Sequence, residues 1–232
     1  MVKQALIAAG GYGTRMPSSI NKTNNKSLIK YKNQPMIGHL IDSLKSGGIE
    51  EFVFSAGPHN IEKIRQVVEK KDIKSIVVPY HEYYRKIPYT WQDFLDDQFL
   101  FVCGHQPLTS EFVSKMIKAS KNAGCVITAY ESSKFPIEKQ HKIVFKGQKT
   151  NPTVVPIDTS KTNLSKNHKY IRNPYVVKKK LIKLSERYDF EYSFSYYIHQ
   201  HWKDGGSLEI VESGNIPPEF DYENEFEKTK EF

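Results

Sequence analysis

The chain has 232 residues, 38% of them hydrophobic and 26% charged, with a net charge of +8. That length suits one α/β domain with a real core. The basic balance favours anionic partners, but no apolar run approaches the ~20 residues of a membrane span, and the spread lysines form no recognisable nucleic-acid module.

Ala5 to Ala9 reads as a short apolar strand running into the turn Gly10-Gly11-Tyr12-Gly13-Thr14-Arg15, with Lys26 further on before a second apolar run. Glycines allow angles and close approaches that a Cβ resists, and such a turn can aim several backbone N–H groups at one anion. Arg15 adds a planar fork and Lys26 a mobile point charge. Three glycines and two cations at the end of a first strand suggest a polyphosphate cradle. The bland alternative is a tight connection with solvated charges. The dinucleotide fingerprint fails at Met16, and no Gly-Lys-Ser/Thr closes a P-loop.

Met36 to Lys45 carries apolar residues at helical spacing and is stopped by Gly47 and Gly48. Glu51 to Ala56 reads as a strand, Ile61 to Lys70 as an amphipathic helix, and Ile73 to Val78 as a strand. This alternation predicts a parallel sheet with covering helices, and ligands beyond the carboxyl ends of its strands. Tyr80 to Phe94 is aromatic and mixed in charge. Tyr83, Tyr84 or Trp91 could stack on a base, or simply pack on the core.

Gln98 to Cys103 is a strand closed by Gly104-His105-Gln106-Pro107, followed by a helix at Glu111 to Ala119 and a strand at Val126 to Ala129. The middle, Glu131 to Asn173, is polar and lysine-rich, with short strands at Lys142 to Gly147 and Thr153 to Ile157. The spacing of Val177, Leu181 and Leu184 predicts a helix after Tyr175. A further helix is expected at Phe194 to Trp202, then a strand at Ser207 to Val211. In the tail, Asn224 reads as an N-cap with Glu227 as its capping-box partner.

Cys103 and Cys125 lie in apolar runs, which predicts two buried free thiols and fits a reducing cytoplasm. No signal peptide is expected at the N-terminus. There is no Ser-His-Asp order, no G-x-S-x-G elbow and no Cys/His pattern with zinc spacing. His199 and His201, two apart on a predicted helix, point to different faces. Without repeats or linkers, residues 1–232 read as one domain.

GGYGTRM, then NKSL, then NQPMIGHLIDSL together resemble the sugar-phosphate nucleotidyltransferase family. Its signature is a G-x-G-T-R-[ML] loop, a lysine in a P-K-x-L setting and a K-P-[ML]-I helix start. The resemblance is close over Ala5 to Gly57 and weaker beyond. It implies a three-layer α/β/α sandwich with a mostly parallel, Rossmann-like sheet, and a variable substrate flap around 131–173. It implies nucleotide binding by Ala9, Gly10, Gly11, Tyr12, Gly13, Thr14, Arg15 and Lys26, with Arg15 and Lys26 catalytic. Asn25 stands where the family has Pro before the lysine.

The family also reads Gly-Asp at the strand end where this chain has Gly104-His105, and that Asp holds Mg²⁺. Imidazole is a poor ligand for Mg²⁺. His105 could take a softer ion such as Mn²⁺ or Zn²⁺, bond a phosphate, mark lost catalysis or have no role. In the tail, Asp221 takes the first acidic position of the family's closing D-x-D-T-P-E-D-L segment and Glu223 the second, and an acid there assists the metal, so the implied metal pair is His105 and Asp221, with a divalent metal, Mg²⁺ in the family, as cofactor.

The expected activity is transfer of a nucleoside monophosphate from a nucleoside triphosphate to a sugar phosphate or similar phosphorylated acceptor. Neither nucleic acid nor membrane is an expected partner, and a homo-oligomer is compatible with the reading. The alternatives are a non-catalytic nucleotide- or phosphosugar-binding relative and, further off, a glycosyltransferase of the same general fold. The latter usually needs an Asp-x-Asp at the strand end, where Gly104-His105-Gln106 stands.

Overall fold

The structure is a computed structural model that describes residues 1–79, 92–131, 142–146, 153–157, 169–181, 201 and 204–230, with 142–146 and 153–157 as backbone. Its spine is a parallel group of β1 (Gln4–Ala9), β4 (Glu51–Ala56), β5 (Lys74–Pro79) and β6 (Gln98–Cys103), joined in the order β5-β4-β1-β6. A hairpin of β2 (Lys30–Tyr31) and β3 (Gln34–Pro35) precedes helix α1 (Met36–Ser46), and α2 (Ile61–Glu69) links β4 to β5. Helix α3 (Ser110–Ala119) leads from β6 to β7 (Cys125–Glu131), its first turn capped by Thr109, whose Oγ1 accepts from the Phe112 N–H.

The sheet continues through β10 (Lys169–Lys178) to β7 and β11 (Leu208–Glu212). β10 runs antiparallel to both β6 and β7, while β11 is parallel to β7. β8 (Lys142–Lys146) and β9 (Thr153–Ile157) pair with each other, and β8 extends from β10. They fall where short strands were expected within the flap, and the rest of 132–168 lies outside the described residues.

Alternate residues of each strand feed two cores. Ala5, Ile7 and Ala9 join Phe52, Phe54, Leu100 and Val102 beneath α1, α2 and α3. Leu6, Ala8, Val53, Phe99 and Phe101 join Ile127, Tyr175 and Leu181 on the opposite face. The aromatic segment Tyr80–Trp91 and nearly all of the helix expected at Phe194–Trp202 lie outside the described residues. Cys103 and Cys125 are free and buried. Burial pushes the Cys125 thiol up to about 12, so it behaves as a small apolar group. Among the described residues no helix is long and apolar enough to cross a membrane.

Two local expectations are corrected. Val176 and Val177 belong to strand β10, not to a helix, and Leu181 sits in the short turn after it. β10 is buried on both faces around Tyr175–Val177, so its apolar run lacks alternation, and periodicity alone does not separate such a strand from a helix. At the tail, helix α4 spans Glu223–Lys230 and already includes Asn224. The residue that reaches back is Glu225, whose Oε2 accepts from the Asp221 and Tyr222 N–H groups. Glu227 instead pairs with Lys230.

Candidate nucleotide site

After β1 the chain moves outward to β4 and β5, then returns to β6 on the other side of β1. The gap between the carboxyl ends of β1 and β6 is therefore a topological switch point, where ligands bind in open α/β sheets. Ala8 pairs with Cys103 and Ala9 with Ala56, so the turns after all three strands share one edge.

The loop after β1 is built on its own side chains. Gly13 has φ +65°, and a Cβ there would stand 2.6 Å from Asn21 Nδ2 and 2.9 Å from Lys26 Cγ. Only glycine fits that position. Asn21 Nδ2 donates to the Gly13 carbonyl at 3.1 Å, while its Oδ1 accepts from the Asn25 N–H at 2.8 Å. Asn25 Nδ2 donates to the Ala9 carbonyl at 2.6 Å, and its Oδ1 accepts from the Ser27 N–H at 2.8 Å. Two buried amides thus tie the loop to the end of β1 and to the turn that carries Lys26. By contrast, Gly11, Tyr12, Thr14 and Arg15 are exposed, and a Cβ at Gly11 would meet nothing within 4 Å. Tyr12 lies flat on His59, from the turn after β4, with ring centroids 3.8 Å apart.

The tail closes the site from the other side. Phe220 and Phe226 share a small core with Met16, Ile29, Tyr31 and Met36. Gln106, fully buried, donates from Nε2 to the Pro217 carbonyl at 2.9 Å and to the Tyr130 hydroxyl at 3.3 Å. These contacts bring Asp221 against the loop. Lys26 Nζ donates to Asp221 Oδ1 in a short contact and to the Phe220 carbonyl at 3.2 Å. Arg15 Nη2 lies 3.0 Å from the same oxygen, and Arg172 Nη2 lies 3.3 Å from Asp221 Oδ2. Arg172 Nε also donates to Glu219 Oε1 at 2.9 Å.

Both cations singled out in the sequence therefore converge on Asp221, together with a third, Arg172, that the sequence did not single out. Burial alone would raise the Asp221 carboxyl, but Lys26 and Arg172 hold it well below the usual carboxylate range. Glu219 is pushed upward by burial against the pull of Arg172. Burial, with Lys26 adding to it, holds the His105 ring well below its ordinary value and so neutral. That ring meets Phe220 edge-on at 5.2 Å, and its Nε2 is buried without a hydrogen-bond partner.

Residues 5–193 match the family described as the MobA-like NTP transferase domain. The chain belongs to that family. Its domain match begins inside β1 and ends before the tail that carries Asp221.

A 74-residue stretch is 32% identical to the CTP:phosphoglutamine cytidylyltransferase of Campylobacter jejuni, covering 32% of this chain and 28% of that protein. A 70-residue stretch is 34% identical to the mannose-1-phosphate guanyltransferase of Yarrowia lipolytica, covering 29% of this chain and 19% of that one. The chain thus spans less than a third of the length of the curated relatives it matches. The inositol-1-phosphate CTP transferase from T. maritima superposes with a TM-score of 0.76 at 16% identity, over 97% of this chain and 91% of that one. CMP:2-keto-3-deoxy-manno-octonic acid synthetase, solved with CTP, gives 0.68 at 13% identity over 99% and 97%. At these identities the superpositions show a shared nucleotidyltransferase fold, the α/β class expected from the sequence.

Nucleotidyltransferases of this kind generally depend on a divalent metal. The residues present at the expected pair, His105 and Asp221, do not fit a resident ion. Both Asp221 oxygens face protein cations, and imidazole suits Mg²⁺ poorly. His105 Nε2 and Glu219 Oε2 are buried without partners. Yet among the described residues no three His, Cys, Asp or Glu side chains converge to hold a metal.

Proposed function

We propose that this MobA-like domain is a nucleotidyltransferase that moves a nucleoside monophosphate from a nucleoside triphosphate to a sugar phosphate or similar phosphorylated acceptor. The observation that carries this reading is the convergence of Lys26 and Arg15 beside the glycine loop, at the switch point between β1 and β6. A phosphate oxygen of the acceptor forms a bond to the α-phosphorus. The bond from that phosphorus to the β-bridging oxygen breaks, and its electron pair leaves with pyrophosphate. Such a reaction asks the protein mainly for positioning and charge neutralisation.

In this reading the N–H groups of the loop Gly10 to Thr14, beyond Ala9, receive the triphosphate, with Gly11, Tyr12 and Thr14 on its exposed side. Arg15, half-exposed, swings from Asp221 to the departing β- and γ-phosphates. Lys26, held in place by Asp221 and the Phe220 carbonyl, opposes charge growing on the α-phosphate. The divalent ion enters as part of the substrate, the metal–triphosphate complex, with Mg²⁺ or Mn²⁺ in that role. The free thiols suit a reducing cytoplasm, and residues 131–173 serve as the acceptor flap of a single domain.

A second reading, a non-catalytic nucleotide or phosphosugar binder, is favoured by one observation, a histidine at the end of β6 whose ring packs on Phe220 and whose Nε2 is buried without a partner. Pyrophosphate release separates the two. The full chain is incubated with each nucleoside triphosphate and a panel of sugar phosphates and phospho-alcohols, with Mg²⁺ or Mn²⁺. Release that needs one triphosphate and one acceptor supports the transferase. Nucleotide binding without release under any condition supports the binder.

A further inference from the structure

The pair expected to hold a metal is occupied by protein charge. Lys26, Arg15 and Arg172 face Asp221, and Arg172 also faces Glu219. Three cations stand against Asp221 and Glu219, and a third carboxylate, Glu225, accepts from the Asp221 N–H, so charge in the cluster is balanced and both Asp221 oxygens are taken by cations. The Lys26 and Arg172 side chains are each only 10% exposed, where Coulomb forces are weakly screened. A divalent ion entering here would meet like charge and would have to displace ammonium or guanidinium from both Asp221 oxygens. Arg172 is fixed by two acidic partners in the segment between β11 and helix α4, and a guanidinium stays charged at every working pH.

We propose that Arg172, fixed between Glu219 and Asp221, takes the electrostatic place of a resident divalent ion, and that Asp221 is a strut for the site's cations rather than a metal ligand. Arg172 is a positioning residue. It keeps Asp221 oriented so that Lys26 and Arg15 point at the loop, and it excludes free metal from the gap between β6 and the tail. The only divalent ion in the site is then the one carried in by the triphosphate. This goes beyond the nucleotidyltransferase reading and can be tested without nucleotide, so failure of that reading leaves the test intact.

The test is titration of Mn²⁺ into the full chain alone, followed by the electron paramagnetic resonance signal of the free ion. The wild type is expected to leave that signal undiminished. Signal loss to one site that D221N abolishes overturns the proposal. The double variant H105D/R172Q removes the guanidinium and adds a carboxylate. It is expected to reduce the free-ion signal at Mn²⁺ concentrations where the wild type leaves it undiminished. A double variant that melts cooperatively yet leaves the signal untouched overturns the role given to Arg172. R172K, which keeps the charge, is expected to exclude the ion as the wild type does, and Mn²⁺ binding by it counts against the proposal.

Discussion

Lys26 and Asp221 lie 195 positions apart in the chain and form a buried ion pair at the mouth of the sheet. Glycine geometry brings in one partner and the Phe220–Phe226 core brings in the other. The pair joins the first loop to the last helix, so the site is complete only when both ends of the domain are folded.

Loss of Lys26 should therefore act on chemistry more than on folding. Asp221 keeps Arg15 and Arg172, so K26A leaves no uncompensated buried carboxylate. Pyrophosphate release should fall about 10²-fold or more, the scale for removing one preorganised charge partner. D221N removes the shared partner of three cations and should cost about 3–5 kcal/mol of stability, as for breaking a buried ionic network. Steady-state turnover and thermal melts check the two. A K26A enzyme with unchanged turnover would refute the role given to the lysine.

The pH dependence of stability carries the signature of His105. In the unfolded chain its ring titrates near about 6.5, whereas burial and Lys26 keep it neutral in the fold well below that. Below about pH 6.5 the unfolded state therefore binds a proton that the native state does not. Stability falls as pH drops, by up to about 1.4 kcal/mol per pH unit for one such group. His59 and His201 are shifted the same way and share the wild-type slope. Asp221 contributes nothing to it, because its stabilisation is full above the usual carboxylate range and is lost only at lower pH. H105Q should flatten the fall in Tm between pH 6.5 and 5 by one histidine's share. Identical slopes for H105Q and wild type would mean that the buried ring is protonated.

The parallel strands were legible because Ala5–Ala9, Glu51–Ala56 and Gln98–Cys103 are apolar runs bounded by glycine or proline, and the G-G-Y-G-T-R turn marked the edge that matters. β10 was not legible, since burial on both faces erased its alternation. Arg172 was missed with it, as one basic residue in a lysine-rich stretch, and so was Glu219, its partner 47 positions away. Gln106 was read only as part of a turn, yet its amide holds the tail. No local pattern encodes such partners. The assembled sheet creates them.

The glycines of the loop divide by role. G13A places a Cβ against Asn21 and Lys26 at a left-handed φ, which should cost about 1–3 kcal/mol. For a chain of this size that lowers Tm by roughly 2–4 °C per kcal/mol. G11A meets open space and should leave Tm unchanged while raising the Kd for a nucleoside triphosphate. Calorimetry and equilibrium binding on the two variants check the division. A G11A protein with wild-type affinity would show that the triphosphate does not approach that backbone.

Asn25 offers the sharpest contrast between family pattern and this structure. Proline is the family residue before the lysine, so N25P looks like a repair. Here Asn25 has φ −153°, far from the −65° or so that proline imposes. Its N–H donates to Asn21 Oδ1, and its side chain spans the Ala9 carbonyl and the Ser27 N–H. N25A removes only the side-chain bonds and leaves the Ala9 and Ser27 groups to find new partners, at about 1–3 kcal/mol for each buried group left bare. N25P removes those bonds and the N–H as well, and forces φ away from its native value, so it should destabilise more than N25A. Because Lys26 is the next residue, the proline variant should also lose more turnover than the alanine variant at a temperature where both are folded. Melting curves and pyrophosphate release on both variants decide it. An N25P protein as stable and active as wild type would mean that the amide bridge does not hold the lysine in place.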